Sequence, residues 1–256
     1  LVAIGGGLGI AIEVVLVPYE WGWLVEAVLV SVLIAQKSLL QHFYAIAAPL
    51  ERGDIDAARV ELAKIVGRDV TRLDEAGVAR ASIESLAESS SDGVIAPVFW
   101  AALFGLPGVL IYKAVNTADS MVGHRDDRYA EFGWAAAKFD DFLNVIPARL
   151  TANLIGFAAF FTPEASVRGA FAAIKRDATK HASPNAGFPE SAAAGALGLR
   201  LGGPRVYDGV RDDAPWMGDG RTNATSDDMN RAAKLVITTF VLTGMIVFIL
   251  WGVLPR

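Results

Sequence analysis

The sequence of 256 residues contains no cysteine and only three histidines. This absence excludes a disulfide framework, a CxxC motif and the common zinc patterns, because each of them needs cysteine. An excess of positive charge is also lacking, since 23 Lys and Arg residues stand against 28 Asp and Glu residues, a formal net charge of −5. Nucleic acid is therefore not an expected partner, because proteins that bind the phosphate backbone carry a basic excess.

Familiar catalytic and nucleotide-binding motifs are absent as well. The sequence contains no GxSxG, no HExxH and no Walker A pattern. Gly5, Gly6, Gly7 and Gly9 are not flanked by the strand and helix of a βαβ unit, so they indicate close helix packing and not a phosphate loop. The chain opens on Leu1 inside an apolar run, without Met or a charged segment. We therefore expect a fragment that lacks its natural start.

Apolar residues are abundant instead, at 53% of the chain with a mean hydropathy of +0.39. They occur in blocks, including two uncharged runs of nineteen residues, Val94–Tyr112 and Val236–Leu254. About 20 apolar residues cross a bilayer as a helix. The sequence therefore predicts an all-α, polytopic integral protein of the cell membrane. Its membrane segments are expected near residues 1–17, 24–48, 94–112, 145–162 and 236–254, and its polar loops at 49–93, 113–144 and 163–235.

The segment 94–112 is predicted to be a re-entrant helical hairpin. Gly105-Leu-Pro-Gly108 breaks it near its middle, and each half is too short to cross about 30 Å of hydrocarbon. Such a hairpin returns the chain to the side it left. Loops 49–93 and 113–144 both carry Lys and Arg, which favours the cytoplasmic side for both. The alternative, a single kinked span, would place these two loops on opposite sides of the membrane.

Helical patterns also occur in the polar segments. Asp54 is a plausible N-cap, and a helix from about Asp74 to Ser89 places Arg80, Glu84 and Glu88 on one face. The plainer interpretation of that face is a row of solvated salt bridges.

Three predictions concern the second half of the chain. Asp140 and Asn144 are four residues apart and should share a helix face. Pro147 should lie in the first turn of the next helix, where proline is tolerated. The acidic, glycine-rich run 208–228 is predicted to be a surface loop.

The densest group of polar residues follows the re-entrant segment, within residues 112–128. Polar groups at the edge of a membrane segment are expensive, and so many of them indicate chemistry or binding. The group contains Lys113, Asn116, Thr117, Asp119, Ser120, His124 and Arg125.

The residue types favour magnesium and phosphate. Proteins hold Mg²⁺ through one or two carboxylates together with substrate phosphates, and the candidate ligands here are Glu84, Glu88, Asp92, Asp119, Asp140 and Asp141. Arginine and lysine bind phosphate, and the candidates are Arg68, Arg80, Arg125, Arg149 and Lys113. This combination is what phosphoryl transfer requires. From the residues alone, a transporter and a regulatory membrane protein stay open beside a Mg²⁺-dependent membrane enzyme.

Five stretches of the chain resemble, in order and spacing, the adenosylcobinamide-phosphate synthase family of cobalamin biosynthesis. They are IVGRD (65–69), ESLAESSSDGVIAP (84–97), YKAVNTADSMVGHR (112–125), FGWAAAKFDDFLNVIPARLTA (132–152) and HASPNAGFPESAAAGALGLRLGGP (181–204). The resemblance extends over about residues 38–207. These motifs are long and are not generic patterns.

The resemblance implies an integral membrane enzyme that joins adenosylcobyric acid to aminopropanol phosphate, or a related amino-alcohol phosphate, in an ATP-dependent amide synthesis. The expected catalytic residues are Asp119, His181, Lys113 and Asn116. Substrate groups and phosphates would be bound by Arg68, Arg80, Arg125, Arg149, Asn144, Ser183 and Asn185. Mg²⁺ would be held by Glu84, Glu88 or Asp92, together with Asp119 or Asp140. His181 is the expected proton acceptor, because imidazole titrates near neutral pH.

Two departures from the family pattern affect this interpretation. Ser89 stands where the family has asparagine. The family also normally has an N-terminal segment with Gly-Asp-Pro and His-Pro motifs, and the sequence that begins at Leu1 does not supply it. The alternatives are a non-catalytic membrane regulator on the same scaffold, resembling the family implicated in β-lactamase induction, and a corrinoid transporter. Association with other membrane enzymes of the corrinoid pathway is a further expectation.

Overall fold

The structure is a computed structural model that describes residues 1–122, 130–207 and 210–253. Within these residues it contains ten α-helices and four short strands, which confirms the predicted all-α class. The helices are α1 (Val2–Leu16), α2 (Gly22–Leu33), α3 (Gln36–Glu51), α4 (Ile55–Leu62), α5 (Glu75–Ser90), α6 (Ala96–Val122), α7 (Ala130–Ala158), α8 (Val167–Asp177), α9 (Gly187–Leu197) and α10 (Ser226–Val253). The strands are β1 (Leu201–Gly202), β2 (Arg205–Tyr207), β3 (Val210–Asp212) and β4 (Trp216–Met217). A π-helical turn, Ser91–Ile95, lies between α5 and α6.

The chain divides into two compact units. The first unit comprises residues 1–35 and 92–147, and the second comprises residues 36–91 and 148–256. The first unit contains α1, α2, α6 and the first part of α7. The second unit contains α3, α4, α5, α8, α9, α10 and all four strands.

Helix α6 is a hairpin of two shorter helices. Its backbone leaves helical geometry at Phe104 and at Gly105, which has φ 60° and ψ −149°. A Cβ atom on Gly108 would collide with the carbonyl oxygen of Trp100. In a straight helix these two residues would be about 12 Å apart, so the chain must reverse between them. The predicted hairpin is confirmed, whereas its entry into a bilayer stays a prediction.

Helix α1 packs closely on this hairpin through its glycines. An ideal Cβ on Gly5 would lie 3.2 Å from the carbonyl oxygen of Leu110, and one on Gly9 would lie 2.6 Å from the nitrogen of Pro107. The side chain of Glu13 then accepts a hydrogen bond from the amide of Leu106 at 2.9 Å. The glycines of α1 therefore serve close helix packing, as predicted from the sequence.

The prediction that Pro147 begins a helix is wrong, because α7 runs without interruption from Ala130 to Ala158. Proline has no amide hydrogen and therefore leaves the carbonyl four residues earlier without its helical partner. That carbonyl belongs to Leu143, and the indole of Trp100 donates to it at 3.3 Å. This substitute donor compensates for a proline inside a helix.

The second unit contains the N-cap predicted at Asp54, and a second N-cap at Asp74, where a helix was predicted to begin. The side chain of Asp54 accepts from the amide of Ala57 at 3.0 Å, and that of Asp74 accepts from the amide of Gly77 at 2.7 Å. Helices α4 and α5 therefore begin at N-caps. The core of this unit is formed by fully buried aliphatic side chains, including Ile46, Leu62, Ile83, Leu86, Ile155, Leu199 and Leu201.

The strands form two small antiparallel pairs in the second unit. Strand β1 pairs with β4 so that Gly202 lies opposite Trp216, and β2 pairs with β3 so that Arg205 lies opposite Asp212. The run 208–228, predicted to be a surface loop, thus contains β3 and β4. Its residues 208 and 209 lie outside the described part of the chain.

Three described segments are long and apolar enough to cross a membrane: Gly22–Glu51, Glu75–Met121 and Ser226–Val253. Val2–Leu16 is a shorter apolar helix. These segments support a polytopic membrane protein. Segment Gly22–Glu51 is interrupted at Ile34, where the backbone is extended. The membrane placement of residues 1–17 and 145–162 stays a prediction.

Candidate functional site

A cavity of about 480 Å³ lies within the second unit and has an unusually basic wall. Four arginines and two carboxylates line it, a formal excess of two positive charges. Its lining residues are Arg68, Asp69, Arg72, Leu73, Gly77, Arg80, Glu84, Gly202, Pro204 and Arg205. We call it the arginine cavity. Guanidinium groups converging on one space are suited to phosphate or carboxylate ligands.

The loop before α5 supplies one wall of this cavity. The guanidinium of Arg59 donates twice to the carbonyl oxygen of Leu73, at 2.9 and 2.6 Å, which anchors the end of the loop. Thr71 donates to Asp69 Oδ1 from its amide, at 2.9 Å, and from its hydroxyl, at 2.7 Å. Both bonds lower the pKa of Asp69, the bond from the hydroxyl more than the bond from the amide. Asp69 is therefore ionised at neutral pH.

The opposite wall is the turn Gly202-Gly-Pro204 after β1. Gly202 and Gly203 have φ angles of 74° and 78°, in the left-handed region that glycine adopts without strain. A Cβ on Gly203 would also collide with the ring of Trp216. In this geometry the amide of Gly202 donates to Glu84 Oε1 at 2.6 Å. The turn thus needs glycine both for its conformation and for its close approach to Trp216.

Glu84 connects the two walls. Its Oε2 accepts a hydrogen bond from Arg68, and the two side chains are only 5% and 10% exposed. The interpretation of this helix face as a row of solvated salt bridges is therefore wrong for Glu84, although Glu88 one turn later is exposed. A buried carboxylate needs such partners, because burial without them would strongly disfavour the charge.

Two further arginines of the cavity, Arg80 and Arg72, differ in how they are held. Arg80 donates to the carbonyl oxygen of Thr222 and lies 5.8 Å above the ring of Trp216. Arg72 is exposed, and its guanidinium donates no hydrogen bond to any residue in the described part of the chain. One arginine is thus immobilised by its neighbours and the other has donors available.

Helix α9 contributes a buried carboxyl group, that of Glu190, whose pKa is influenced by the charge of Glu84 on α5. Glu190 is 3% exposed, and its Oε2 has no hydrogen-bond partner among the described residues. Burial, and then the negative charges of Glu84 and Glu88, raise the pKa of Glu190 well above its usual range. Its Oε1 lies 3.7 Å from Nε2 of His181. Sequence reasoning did not assign Glu190 to the site, although it lies inside the motif that begins at His181.

His181 itself is largely buried, with 14% of its side chain exposed. Burial lowers its pKa, so the imidazole is neutral near pH 7. Its Nδ1 lies 3.0 Å from the amide nitrogen of Ser183 and 3.4 Å from the carbonyl oxygen of the same residue. Both contacts involve Nδ1, which leaves Nε2 facing Glu190.

Three further predicted binding residues meet in the same unit. Arg149 donates to Asn185 Oδ1 at 3.4 Å, and its guanidinium lies 4.1 Å from the ring centre of Phe188. The hydroxyl of Ser183 accepts from the amide of Asn185 at 3.2 Å. The loop after His181 is therefore ordered by its own polar side chains, in contact with Arg149.

The first unit contains a second polar network. Asp140 accepts from Asn144 at 2.9 Å and from Asn116 at 3.2 Å, which confirms that Asp140 and Asn144 share a helix face. Tyr112 donates to Asn144 Oδ1 at 3.0 Å and lies 2.9 Å from the backbone oxygen of Asp92. The hairpin therefore brings residues from α6, α7 and the π-helical turn together.

The other residues predicted for the site lie in the first unit or outside the described part of the chain. Lys113, Asp119 and Asp92 are half-buried in the first unit, in or beside α6. Arg125 and His124 lie outside the described residues. The structure thus arranges the predicted residues as a group in the second unit, around the arginine cavity and His181, and a network in the first unit. Their combination into one shared site stays a prediction.

Comparisons with known proteins connect this arrangement to a family. A family model described as CobD/Cbib protein matches residues 1–236. The chain belongs to the CobD/Cbib family. The resemblance read from the five motifs is thereby confirmed.

Several CobD proteins are similar along most of their length. The Rhodobacter capsulatus "Cobalamin biosynthesis protein CobD" is 46% identical, over 99% of this chain and 81% of that protein. A Brucella anthropi protein of the same name is 47% identical, over 94% of this chain and 75% of its own length. A third, from Sinorhizobium sp, is 51% identical, over 82% of this chain and 65% of its own length. No solved structure matches.

A magnesium ion in this CobD/Cbib chain would need carboxylate oxygens as ligands. No group of three or more His, Asp or Glu side chains within the described ranges is arranged to hold a metal. Both oxygens of Glu84 are engaged by Arg68 and Gly202, and both oxygens of Asp140 by asparagine amides. Mg²⁺ needs only one or two protein carboxylates when phosphate supplies other ligands, and the exposed Glu88 fits that requirement.

Sequence reasoning missed four residues of the site in this CobD/Cbib chain. Asp69, Arg72 and Arg205 line the arginine cavity, and Glu190 adjoins it. Asp69 and Glu190 lie in the motifs that carried the resemblance, and this was a usable signal. Arg72 and Arg205 had none, because a single arginine in a polar loop is ordinary until the fold shows what it faces.

Proposed function

We propose that this CobD/Cbib chain is a membrane enzyme of cobalamin biosynthesis that forms an amide between adenosylcobyric acid and aminopropanol phosphate, or a related amino-alcohol phosphate, with ATP as cosubstrate. Family membership and the names of the relatives support the pathway. The observation that carries the reaction type is the arginine cavity, with its buried Arg68–Glu84 pair. A reaction with two phosphorylated reactants needs such fixed cations.

The proposed reaction has two steps. A carboxylate oxygen of the corrinoid attacks the terminal phosphorus of ATP, so that an acyl phosphate forms and ADP leaves. The amine nitrogen then attacks the acyl carbon, the C–N bond forms, and inorganic phosphate leaves with the electrons of the broken C–O bond. The ammonium form of the amine must lose a proton before attack and another after it. Positioning and charge neutralisation supply most of the catalysis in such transfers.

The cationic residues are assigned to phosphate. Arg68 and Arg80 line the arginine cavity, and Arg149 presents its guanidinium beside Asn185. Lys113 in the first unit is a further point charge for phosphate. The polar residues Asn116, Asn144, Ser183 and Asn185 are assigned to orient substrate groups. Asp119 completes the proposed catalytic set.

His181 is assigned as the proton acceptor. Its lowered pKa keeps it neutral near pH 7, which a base requires. The tautomer decides which ring nitrogen is basic. Nε2 is basic when Nδ1 donates to the carbonyl oxygen of Ser183 at 3.4 Å, as the assigned role requires, whereas Nε2 carries the hydrogen when Nδ1 accepts from the amide of Ser183 at 3.0 Å. Nε2 faces Glu190, whose raised pKa lets it hold a proton in the same place.

Magnesium is proposed as the metal that accompanies ATP. When bound, it would neutralise phosphate charge, and of its two candidate ligands in the second unit, Glu84 and Glu88, Glu88 is the exposed one. Glu84, Asp92 and Asp140 are the other proposed ligands. Glu84 and Asp140 would have to exchange a present hydrogen bond for the ion. The site-bearing loops are proposed to face the cytoplasm, where ATP is found.

The experiment is a reconstituted reaction. Purified protein in detergent or liposomes is incubated with adenosylcobyric acid, ATP, Mg²⁺ and aminopropanol phosphate, and the corrinoid product and ADP are quantified. We expect an amide product formed with one ADP for each molecule, and its loss in Arg68→Gln. Arg52→Gln, an exposed arginine outside the arginine cavity, is the matched control and should retain activity.

Two outcomes would contradict the proposal. Absence of both amide product and ATP turnover in a folded preparation would favour the non-catalytic regulator. Uptake of a corrinoid into sealed vesicles without amide formation would favour the transporter.

A further inference from the structure

We propose that the arginine cavity is the binding site for a small zwitterion that carries a phosphate monoester and a protonated amine, with the phosphate on Arg68 and Arg72 and the amine on Asp69. The inference rests on the proposed function, because an amino-alcohol phosphate is such a zwitterion. It assigns one of the three reactants to one place in the protein. It also gives Asp69 and Arg72 roles that the sequence motifs did not indicate.

The size of the cavity selects among the reactants. Its volume of about 480 Å³ lies in the lower part of the range for small-molecule sites, roughly 300 to 1,000 Å³. A corrin macrocycle with its side chains is far larger than this space. The cavity therefore takes a small molecule or one end of a larger one.

The lining argues against a nucleoside. Leu73 and Pro204 are the apolar side chains on the wall, and none of the described residues that line it is aromatic. The nearby ring of Trp216 is covered by the guanidinium of Arg80. Nucleoside sites usually offer an apolar or aromatic face to the base. A ligand that consists mostly of charged groups fits this wall better.

The phosphate end of the site has donors to spare. A guanidinium carries five N–H donors, and Arg68 uses one of its nitrogens for Glu84. The carboxylate of Glu84 holds that guanidinium in place, so it is preorganised for a second partner. Arg72 is exposed on the same loop and donates to no described residue. The two guanidiniums can therefore bind one phosphate through several charge-assisted hydrogen bonds.

The amine end is the carboxylate of Asp69. Both hydrogen bonds from Thr71 go to Oδ1, so the second oxygen, Oδ2, is available to a cation. These bonds also lower the pKa of Asp69, which keeps it negative at neutral pH. Asp69 follows Arg68 directly in the chain and lines the same cavity. A phosphate group and an amine a few bonds apart can therefore reach both residues.

Asp69 would be a disadvantage in a site for phosphate alone. A carboxylate beside a phosphate repels it, and this weakens binding of any purely anionic ligand. Glu84 causes no such penalty, because Arg68 neutralises it inside the wall. Asp69 is influenced by the charge of nearby Arg72 but forms no salt bridge with any described residue, so it matches a ligand that brings its own positive charge.

The test measures binding and not turnover. The purified protein in detergent is titrated calorimetrically with aminopropanol phosphate, with propyl phosphate, which lacks the amine, and with inorganic phosphate and ATP. We expect aminopropanol phosphate to bind about tenfold more tightly than propyl phosphate, the usual size of one charge-assisted contact. Asp69→Asn should abolish this preference without weakening propyl phosphate, and Arg72→Gln should weaken both ligands alike.

Two features of the design protect it from a folding artefact. Asparagine at position 69 keeps an oxygen that accepts from Thr71, so the loop retains its hydrogen bonds. Asp227→Asn, an exposed carboxylate at the start of α10 and outside the cavity, is the matched control and should leave all affinities unchanged.

Three outcomes would overturn the inference: equal affinities for the two alkyl phosphates in the unmodified protein, an unchanged preference in Asp69→Asn, or ATP as the tightest ligand with loss on Arg72→Gln. Different results would contradict the inference about the binding site and the proposed function. Amide synthesis with a normal KM for aminopropanol phosphate in both variants would sink the inference alone. Binding that depends on Asp69, without any amide synthesis, would sink the proposed function alone.

Discussion

Arg68 and Glu84 form an ion pair in which the two side chains are only 10% and 5% exposed. Glu84 also accepts the amide of Gly202 at 2.6 Å, so one carboxylate connects the loop before α5, the helix itself and the turn after β1. A buried pair of this kind keeps a guanidinium fixed at the wall of the arginine cavity. The wall of the cavity is therefore preorganised.

Glu84→Gln should destabilise the protein by about 3 to 5 kcal/mol, because it leaves the buried Arg68 without a counter-charge. The measurement is the free energy of unfolding in detergent. The control is Glu61→Gln, which removes the exposed pair with Lys64, 54% exposed on the lysine side. That change should cost less than about 1 kcal/mol. Similar losses in the two variants would show that Glu84 has no special structural role.

Glu190 should make stability depend on pH on the alkaline side. Its pKa is raised by burial and by Glu84 and Glu88, whereas in the unfolded chain it is about 4.3. The folded protein thus holds a proton that the unfolded chain has released. The free energy of unfolding should fall as pH rises from about 4.3 through the raised pKa. His181, with its lowered pKa, acts oppositely, since its contribution is lost as pH falls below about 6.5.

Glu190→Gln separates these two contributions. Glutamine resembles the protonated carboxyl and cannot ionise, so the variant should fold and should lose less stability than the unmodified protein between pH 5 and about pH 9. Unfolding midpoints across this range provide the measurement. If both proteins show the same decline with rising pH, Glu190 is not the group responsible.

The hairpin turn of α6 should be intolerant of side chains. Gly105 has φ 60°, and a Cβ there would collide with the carboxylate of Glu13. Gly105→Ala should therefore cost about 1 to 3 kcal/mol from backbone strain, with the collision in addition. Gly244→Ala in α10 is the control, because no atom lies within 4 Å of its ideal Cβ. That change should be neutral or stabilise by up to about 1 kcal/mol. A harmless Gly105→Ala would contradict the hairpin geometry.

The loops on either side of the hairpin should face the same side of the membrane. The natural absence of cysteine allows single cysteines to be introduced without background. Lys64→Cys and Lys138→Cys replace side chains that are 54% and 62% exposed in loops 49–93 and 113–144. A membrane-impermeant thiol reagent added to sealed, oriented vesicles should label both from the cytoplasmic side. Labelling from opposite sides would refute the re-entrant topology.

Much of the fold was readable from local patterns. Uncharged runs predicted the membrane segments, and Asp54 and Asp74 predicted helix starts, because hydrophobicity and capping act between neighbours in the chain. The hairpin was also predictable, since Gly105 and Pro107 are residue types that favour a break in a helix. The same local rule gave a wrong prediction at Pro147, which lies inside α7 and does not begin a helix. Its cost is offset by Trp100, a residue 47 positions away that no local pattern connects to it.

The sequence by itself determined the class, the membrane character and the family, and it named Arg68, Arg80, Glu84 and His181 as site residues. Only the tertiary structure decided how these residues are used. It brought the loop before α5 against the turn after β1, which buried Glu84, exposed Arg72 and placed Asp69 at a basic cavity. Charge and helix period are properties of neighbouring residues, whereas a cavity depends on contacts between segments more than a hundred residues apart. Glu84 and Gly202 are such a pair.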